Sequence, residues 1–127
     1  MAGRPSSGRL DGLTILVVED EFLVSLALEE DLRAAGAAVV GPFNDLISGL
    51  SAAASERFDV AVLDVNLAGT MIYPLADDLA ARGVPFLFVS GYTASDMPSR
   101  FAATPRLGKP ADGHRLVAAI QALIRKR

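Results

Sequence analysis

The side chains best suited to chemistry in this chain are acidic, and they follow short apolar runs. Glu19, Asp20 and Glu21 come after residues 15–18. Asp64 comes after residues 60–63, with Asn66 two positions on. Ser90 follows residues 86–89, and Lys109 with its neighbour Pro110 follows a brief run ending at Gly108. If Glu19, Asp20 and Asp64 converge, they repel. Two unit charges about 4 Å apart at an effective dielectric of about 20 interact by roughly 4 kcal/mol. That is a large share of a small domain's stability, so a proton, a lysine or a metal must offset it. Carboxylate oxygens suit a hard cation such as Mg²⁺. A carboxylate nucleophile, Mg²⁺, a hydroxyl and a lysine together suit phosphoryl transfer, in which catalysis is mostly positioning and charge stabilisation.

Each residue alone has a plainer reading. Asp20 or Glu21 could be a helix cap, Asp64 a turn residue, Ser90 a loop serine and Lys109 a solvated side chain. The argument rests on their common location, which depends on the elements that carry them. The runs 15–18, 60–63 and 86–89 are apolar throughout, as in strands buried on both faces. Residues 38–40 read as a strand closed by Gly41-Pro42, and 106–108 as a brief fifth strand. Val24, Leu28 and Leu32 repeat every four residues on a helix over 22–35, with Gly36 after it. Further helices are expected over 45–54, capped by Asn44, and over 71–82. A last helix is expected after Asp112, with Leu116, Val117, Ile120, Leu123 and Ile124 as its apolar face. A short helix near 95–101 completes five strand–helix repeats. This alternation predicts an α/β fold, a parallel sheet with helices on both faces. In such sheets ligands bind outside the carboxyl ends of the strands, where all the polar residues above fall.

Composition narrows the classes. A chain of 127 residues fits one domain. We expect a loose tail over 1–11 and one domain over 12–127. The absence of cysteine excludes disulfides and thiolate metal sites. No apolar run approaches the roughly 18–20 residues of a membrane span, and residues 1–11 lack the apolar stretch of a secretory signal. The net charge of −3 removes the simplest electrostatic reason for binding nucleic acid. The basic ending Arg125-Lys126-Arg127 suits a helix C-terminus. His114, near the start of the last helix, reads as a surface side chain.

The segments Val17-Val18-Glu19-Asp20-Glu21 and Val62-Leu63-Asp64-Val65-Asn66-Leu67, with Ser90 and Lys109-Pro110, resemble the receiver domain of two-component response regulators. The resemblance covers about residues 13–123. It implies a flavodoxin-like (βα)5 doubly wound sheet in the order 2-1-3-4-5. It also implies phosphorylation of Asp64 by a sensor histidine kinase or a histidine phosphotransfer protein. By the same resemblance, Asp20 and Asp64 are direct Mg²⁺ ligands, Glu19 acts beside them, and Asn66 offers its backbone carbonyl. Ser90 and Lys109 contact the phosphoryl group. A cytoplasmic switch rather than a turnover enzyme is implied, capable of self-phosphorylation from small donors and self-dephosphorylation. Its output would be a downstream protein target, with no direct nucleic-acid contact and no membrane contact.

Arg106 stands where receivers usually carry a switch aromatic, three residues before the lysine. The intervals from Asp64 to Ser90 and from Ser90 to Lys109 are short for the family, which suggests a reduced helix between the fourth and fifth strands. Pro85-Phe86-Leu87-Phe88-Val89-Ser90-Gly91-Tyr92 partially resembles the Pro-Phe-x-Phe-Ala-Thr-Gly-Tyr element of the FAT GUY stand-alone receivers. This makes Tyr92 the candidate switch side chain. Three other readings compete. Glu19-Asp20-Glu21 would repel the phosphate of a flavin carrier. An aspartate-dependent phosphatase would need a second aspartate where Asn66 stands. A degenerate receiver would bind partners without phosphorylation.

Overall fold

The structure, a computed structural model, describes residues 9–91 and 97–126. Strand β1 (Thr14–Val18) leads to helix α1 (Phe22–Ala34), strand β2 (Ala38–Phe43) and helix α2 (Leu46–Ser55). Strand β3 (Val60–Asp64) is followed by two-residue strands β4 (Asn66–Leu67) and β5 (Thr70–Met71), then helix α3 (Tyr73–Ala81). Strand β6 (Phe86–Ser90), a 3-10 turn (Ser99–Phe101), strand β7 (Arg106–Gly108) and helix α4 (Gly113–Arg125) complete the chain. The main sheet runs β2-β1-β3-β6-β7, with every pair parallel. Leaving aside the β4–β5 hairpin, this is the expected flavodoxin-like order 2-1-3-4-5.

Successive side chains in a strand point to opposite faces, and the apolar runs exploit this. Leu16, Val18, Ala61, Leu63, Phe86 and Phe88 pack with Ala52, Leu75 and Leu79 of α2 and α3. Ile15, Val17, Val60, Val62, Leu87 and Val89 pack with Leu28, Leu32, Leu116 and Ile120 of α1 and α4. The three central strands are therefore fixed from both sides, and their carboxyl ends form a rigid edge.

Several boundaries differ from expectation. Leu10 is buried, and its N–H donates to the Ala35 carbonyl at 2.8 Å, so packing begins within the stretch read as a loose tail. Gly41-Pro42 does not close β2, which continues to Phe43 through a register shift opposite Leu16–Val18. The strand lies at the sheet edge, where Pro is tolerated. Gly41 has φ +103, and a Cβ there would sit 2.8 Å from the Val17 carbonyl oxygen. Asp45, not Asn44, caps α2, accepting from Ser48 N–H at 2.7 Å. Of the helix expected over 95–101, positions 95 and 96 lie outside the described residues, and the described part between β6 and β7 forms a 3-10 turn at Ser99–Phe101.

Phe101 holds that turn in place. Its ring stacks on Tyr73 and meets Phe88 edge-on, with centroids 5.4 Å apart in both pairs. Arg100 forks onto Asp77 of α3 at 2.8 and 3.0 Å. Among the described residues no helix is long and apolar enough to cross a membrane.

Candidate functional site

The extension of β2 positions the first acidic residue. Glu19 N–H donates to the Phe43 carbonyl at 2.8 Å, which draws the chain leaving β1 against the sheet edge and buries Glu19. Glu19 Oε2 accepts from Glu21 N–H at 3.0 Å and from Lys109 Nζ at 3.1 Å. Glu19 Oε1 is buried without a hydrogen-bond partner. Asp20 is half-buried and Glu21 exposed, and both line the cleft.

Asp64 is the last residue of β3, paired in register with Val89, and only 3% exposed. Its Oδ1 accepts from Asn66 N–H at 3.3 Å. Its Oδ2 makes no hydrogen bond, although Lys109 Nζ lies 3.1 Å away. The β4–β5 hairpin then folds the chain back beside the site. Asn66 Oδ1 accepts from Gly69 N–H at 2.6 Å, and Ala68 takes φ 53 at the tip.

Ser90 ends β6 and is buried. Its carbonyl accepts from Lys109 N–H at 3.0 Å, so the strand ladder itself ties the serine to the lysine. Lys109 Nζ reaches three carboxylates: Glu21 at 2.7 Å, and Glu19 and Asp64 at 3.1 Å each. A cleft of about 440 Å³ opens here, lined by Asp20, Asp64, Asn66, Gly69, Gly91 and Lys109 among others.

The charges perturb one another. Burial, then crowding against Asp20 and Glu19, pushes the Asp64 carboxyl up to about 8, against the pull of Lys109. Burial by itself would lower Lys109, but its contacts with Glu21, Glu19 and Asp64 outweigh this and raise it. One lysine thus fails to neutralise the cluster. Glu19, Asp20 and Asp64 each offer a carboxylate oxygen, all within 4.8 Å of one another. Two buried oxygens, Glu19 Oε1 and Asp64 Oδ2, lack hydrogen bonds. An all-oxygen set with unsatisfied buried acceptors fits a hard divalent cation such as Mg²⁺.

The residues singled out in the sequence are therefore not scattered. Glu19, Asp20, Asp64, Asn66 and Lys109 meet at one sheet edge, with Ser90 joined to it through the backbone. Arg106 lies apart, exposed on β7 with Nη1 3.7 Å from Met97 Sδ. Tyr92 falls outside the described residues. His114 is exposed, and Asp112 caps α4 by accepting from its N–H at 2.8 Å.

Two features escaped the sequence reading. Glu21 belongs to the lysine's shell, which no spacing rule indicates. Phe22, Leu23 and Leu26 form an exposed apolar rim beside the acidic cluster. They fall off the Val24–Leu28–Leu32 stripe, and that offset was the available signal.

No family model matches the chain. Among solved structures, SdrG from Sphingomonas melonis Fr1 is 36% identical, with a TM-score of 0.79, over 92% of this chain and 98% of that one. The signal receiver domain of a modulated diguanylate cyclase from Desulfovibrio desulfuricans G20 is 28% identical, with a TM-score of 0.81, over 91% and 96%. The transcriptional activator protein IrlR of Burkholderia pseudomallei is 30% identical over 120 residues, which is 90% of this chain and 51% of that protein. The chain thus spans about half the length of the curated relatives it matches. Its parallel five-stranded sheet with helices on both faces defines a flavodoxin-like α/β domain. The chain belongs to the receiver-domain family of response regulators.

Proposed function

We propose that Asp64 is a phosphoacceptor, charged by a histidine kinase or phosphotransfer protein, and that the domain works as a magnesium-dependent switch. One observation carries this reading. A nearly buried aspartate with a raised pKa sits 3.1 Å from a lysine and within a three-carboxylate cluster open to a cleft.

In the proposed step an Asp64 oxygen attacks phosphorus. The P–N bond of a phosphohistidine breaks, and its electron pair returns to the imidazole. With acetyl phosphate the P–O bond breaks and acetate leaves. Asp20, Asp64 and Glu19, with the Asn66 carbonyl, would hold the Mg²⁺, which when bound supplies positive charge beside the phosphoryl oxygens. Lys109 balances charge on the transferred group, and Ser90 is suited to donate a hydrogen bond to it. Burial of Asp64 in a rigid edge keeps the nucleophile oriented.

The exposed rim suits the approach of a protein donor. Phe22 and Leu23 are 74% and 76% exposed and adjoin the cluster in sequence. Leu23→Asp is expected to slow transfer from a phosphohistidine protein on the order of 10-fold, while labelling by acetyl phosphate is unchanged. The primary test is intact mass after incubation with acetyl phosphate and Mg²⁺. One phosphoryl group is expected, absent without divalent metal and absent in Asp64→Asn. Failure to label from acetyl phosphate and from phosphohistidine donors alike contradicts the reading.

A further inference from the structure

Glu21 precedes α1, where an acidic side chain ordinarily caps the helix. It makes no such bond: the first turn has no side-chain cap, and the carboxylate reaches instead to Lys109 Nζ at 2.7 Å. This is the shortest of the three lysine contacts. A lysine ammonium has three N–H donors, and three carboxylates surround this one. Glu19 and Glu21 hold two of those donors by hydrogen bonds, while Asp64 Oδ2 lies 3.1 Å away without one, so a phosphoryl group on Asp64 gains a second lysine donor only where Glu19 or Glu21 gives way.

The three partners differ in what release costs. Glu19 is buried, and its other oxygen already lacks a partner. Asp64 is the group that would carry the phosphoryl. The Glu21 side chain is 60% exposed, so water replaces the lysine at little cost. Its backbone stays in place, because Glu21 N–H remains bonded to Glu19 Oε2 at 3.0 Å.

We infer that Glu21 is a positioning residue, an exposed counter-ion that competes with the phosphoryl group for Lys109. The inference rests on the phosphoacceptor reading and deepens it. Removing the competitor leaves a lysine donor free, so a phosphoryl mimic binds more tightly.

The test combines two readouts. In the metal-free protein, Glu21→Gln is expected to shift the NMR signals of the Lys109 side chain, and this requires no phosphoryl chemistry. An unmoved Lys109 signal overturns the inference and leaves the phosphoacceptor reading standing. With Mg²⁺ and beryllofluoride, Glu21→Gln is expected to tighten binding by about 3- to 10-fold. In a Lys109→Ala background the same substitution is expected to have no effect. A gain that persists without the lysine marks a general field effect and overturns the inference. So does equal affinity in Glu21→Gln and the unaltered protein. No binding of beryllofluoride by the unaltered protein overturns the phosphoacceptor reading and this inference together.

Discussion

At the amino-terminal end of the main sheet, Asp59 accepts from Thr14 N–H at 2.8 Å and donates its own N–H to the Thr14 carbonyl at 2.7 Å. Nearby, Arg82 bonds the Ala53 carbonyl and Asp78, each at 3.0 Å. At the carboxyl-terminal end of the same strands, Glu19, Glu21 and Asp64 crowd around a single lysine, Asp20 joins Glu19 and Asp64 in one carboxylate cluster, and two buried oxygens have no hydrogen bond. Both ends belong to the same parallel strands. One set of charged residues closes the polar accounts of the fold, and the other leaves them open. Local rules of polar satisfaction are characteristically broken at functional sites, and among the described residues the break is confined to one edge.

Substitutions can separate the two ends. The largest effect is expected for Asp64→Asn, which should reduce phosphoryl labelling by at least about 100-fold. The same variant should be as stable as the original in metal-free buffer, or more so, because it removes a crowded buried carboxyl. Thermal melts with a chelator check this.

The pH dependence is next. The Asp64 carboxyl is raised from the ordinary range to about 8 in the folded protein. Between those values the folded state holds a proton that the unfolded state has lost, so metal-free stability should fall as pH rises from about 4 to about 8. A divalent ion competes with that proton, so Mg²⁺ should flatten the fall, and apparent Mg²⁺ affinity should increase across the same window. Urea titrations at several pH values, with chelator and with Mg²⁺, measure both.

At the opposite end, Asp59→Ala should cost about 1–3 kcal/mol, because it strips the partner from a part-buried N–H. Labelling of the folded fraction should be unchanged. The smallest effect is expected for Arg100→Ala. Its fork to Asp77 is about half exposed and screened by water, so thermal melts should show almost no change.

The sheet was legible because both-face burial demands uninterrupted apolar runs, and residues 15–18, 60–63 and 86–89 meet that demand. The site was legible for a linked reason: in a parallel sheet the residue after each run reaches the same edge, so Glu19, Asp20, Asp64 and Lys109 could be grouped without knowing any contact. What failed depended on particular tertiary contacts. Gly41-Pro42 reads locally as a stop, yet an edge strand needs no hydrogen bond on its outer side. Leu10 looks like part of a polar tail until Ala35 offers a carbonyl to its N–H. Asn44 and Asp45 are equivalent caps on paper, and backbone geometry chose the second. The β4–β5 hairpin is too short for a periodic signal. The Glu21 carboxylate reads as a helix cap from sequence, and only the arrival of Lys109 from 88 residues away gives it another partner.

The central claim is that Asp64, rather than a neighbouring carboxylate, accepts the phosphoryl group. Borohydride reduces an acyl phosphate to the corresponding alcohol, which turns a phosphorylated aspartate into homoserine. We would label the protein with acetyl phosphate and Mg²⁺, reduce it, digest it and locate the product by peptide mass spectrometry. The account predicts homoserine at position 64 alone. Homoserine at position 20, a reduced carboxylate at position 19, or no reduced residue in a protein that has taken up phosphate would contradict it.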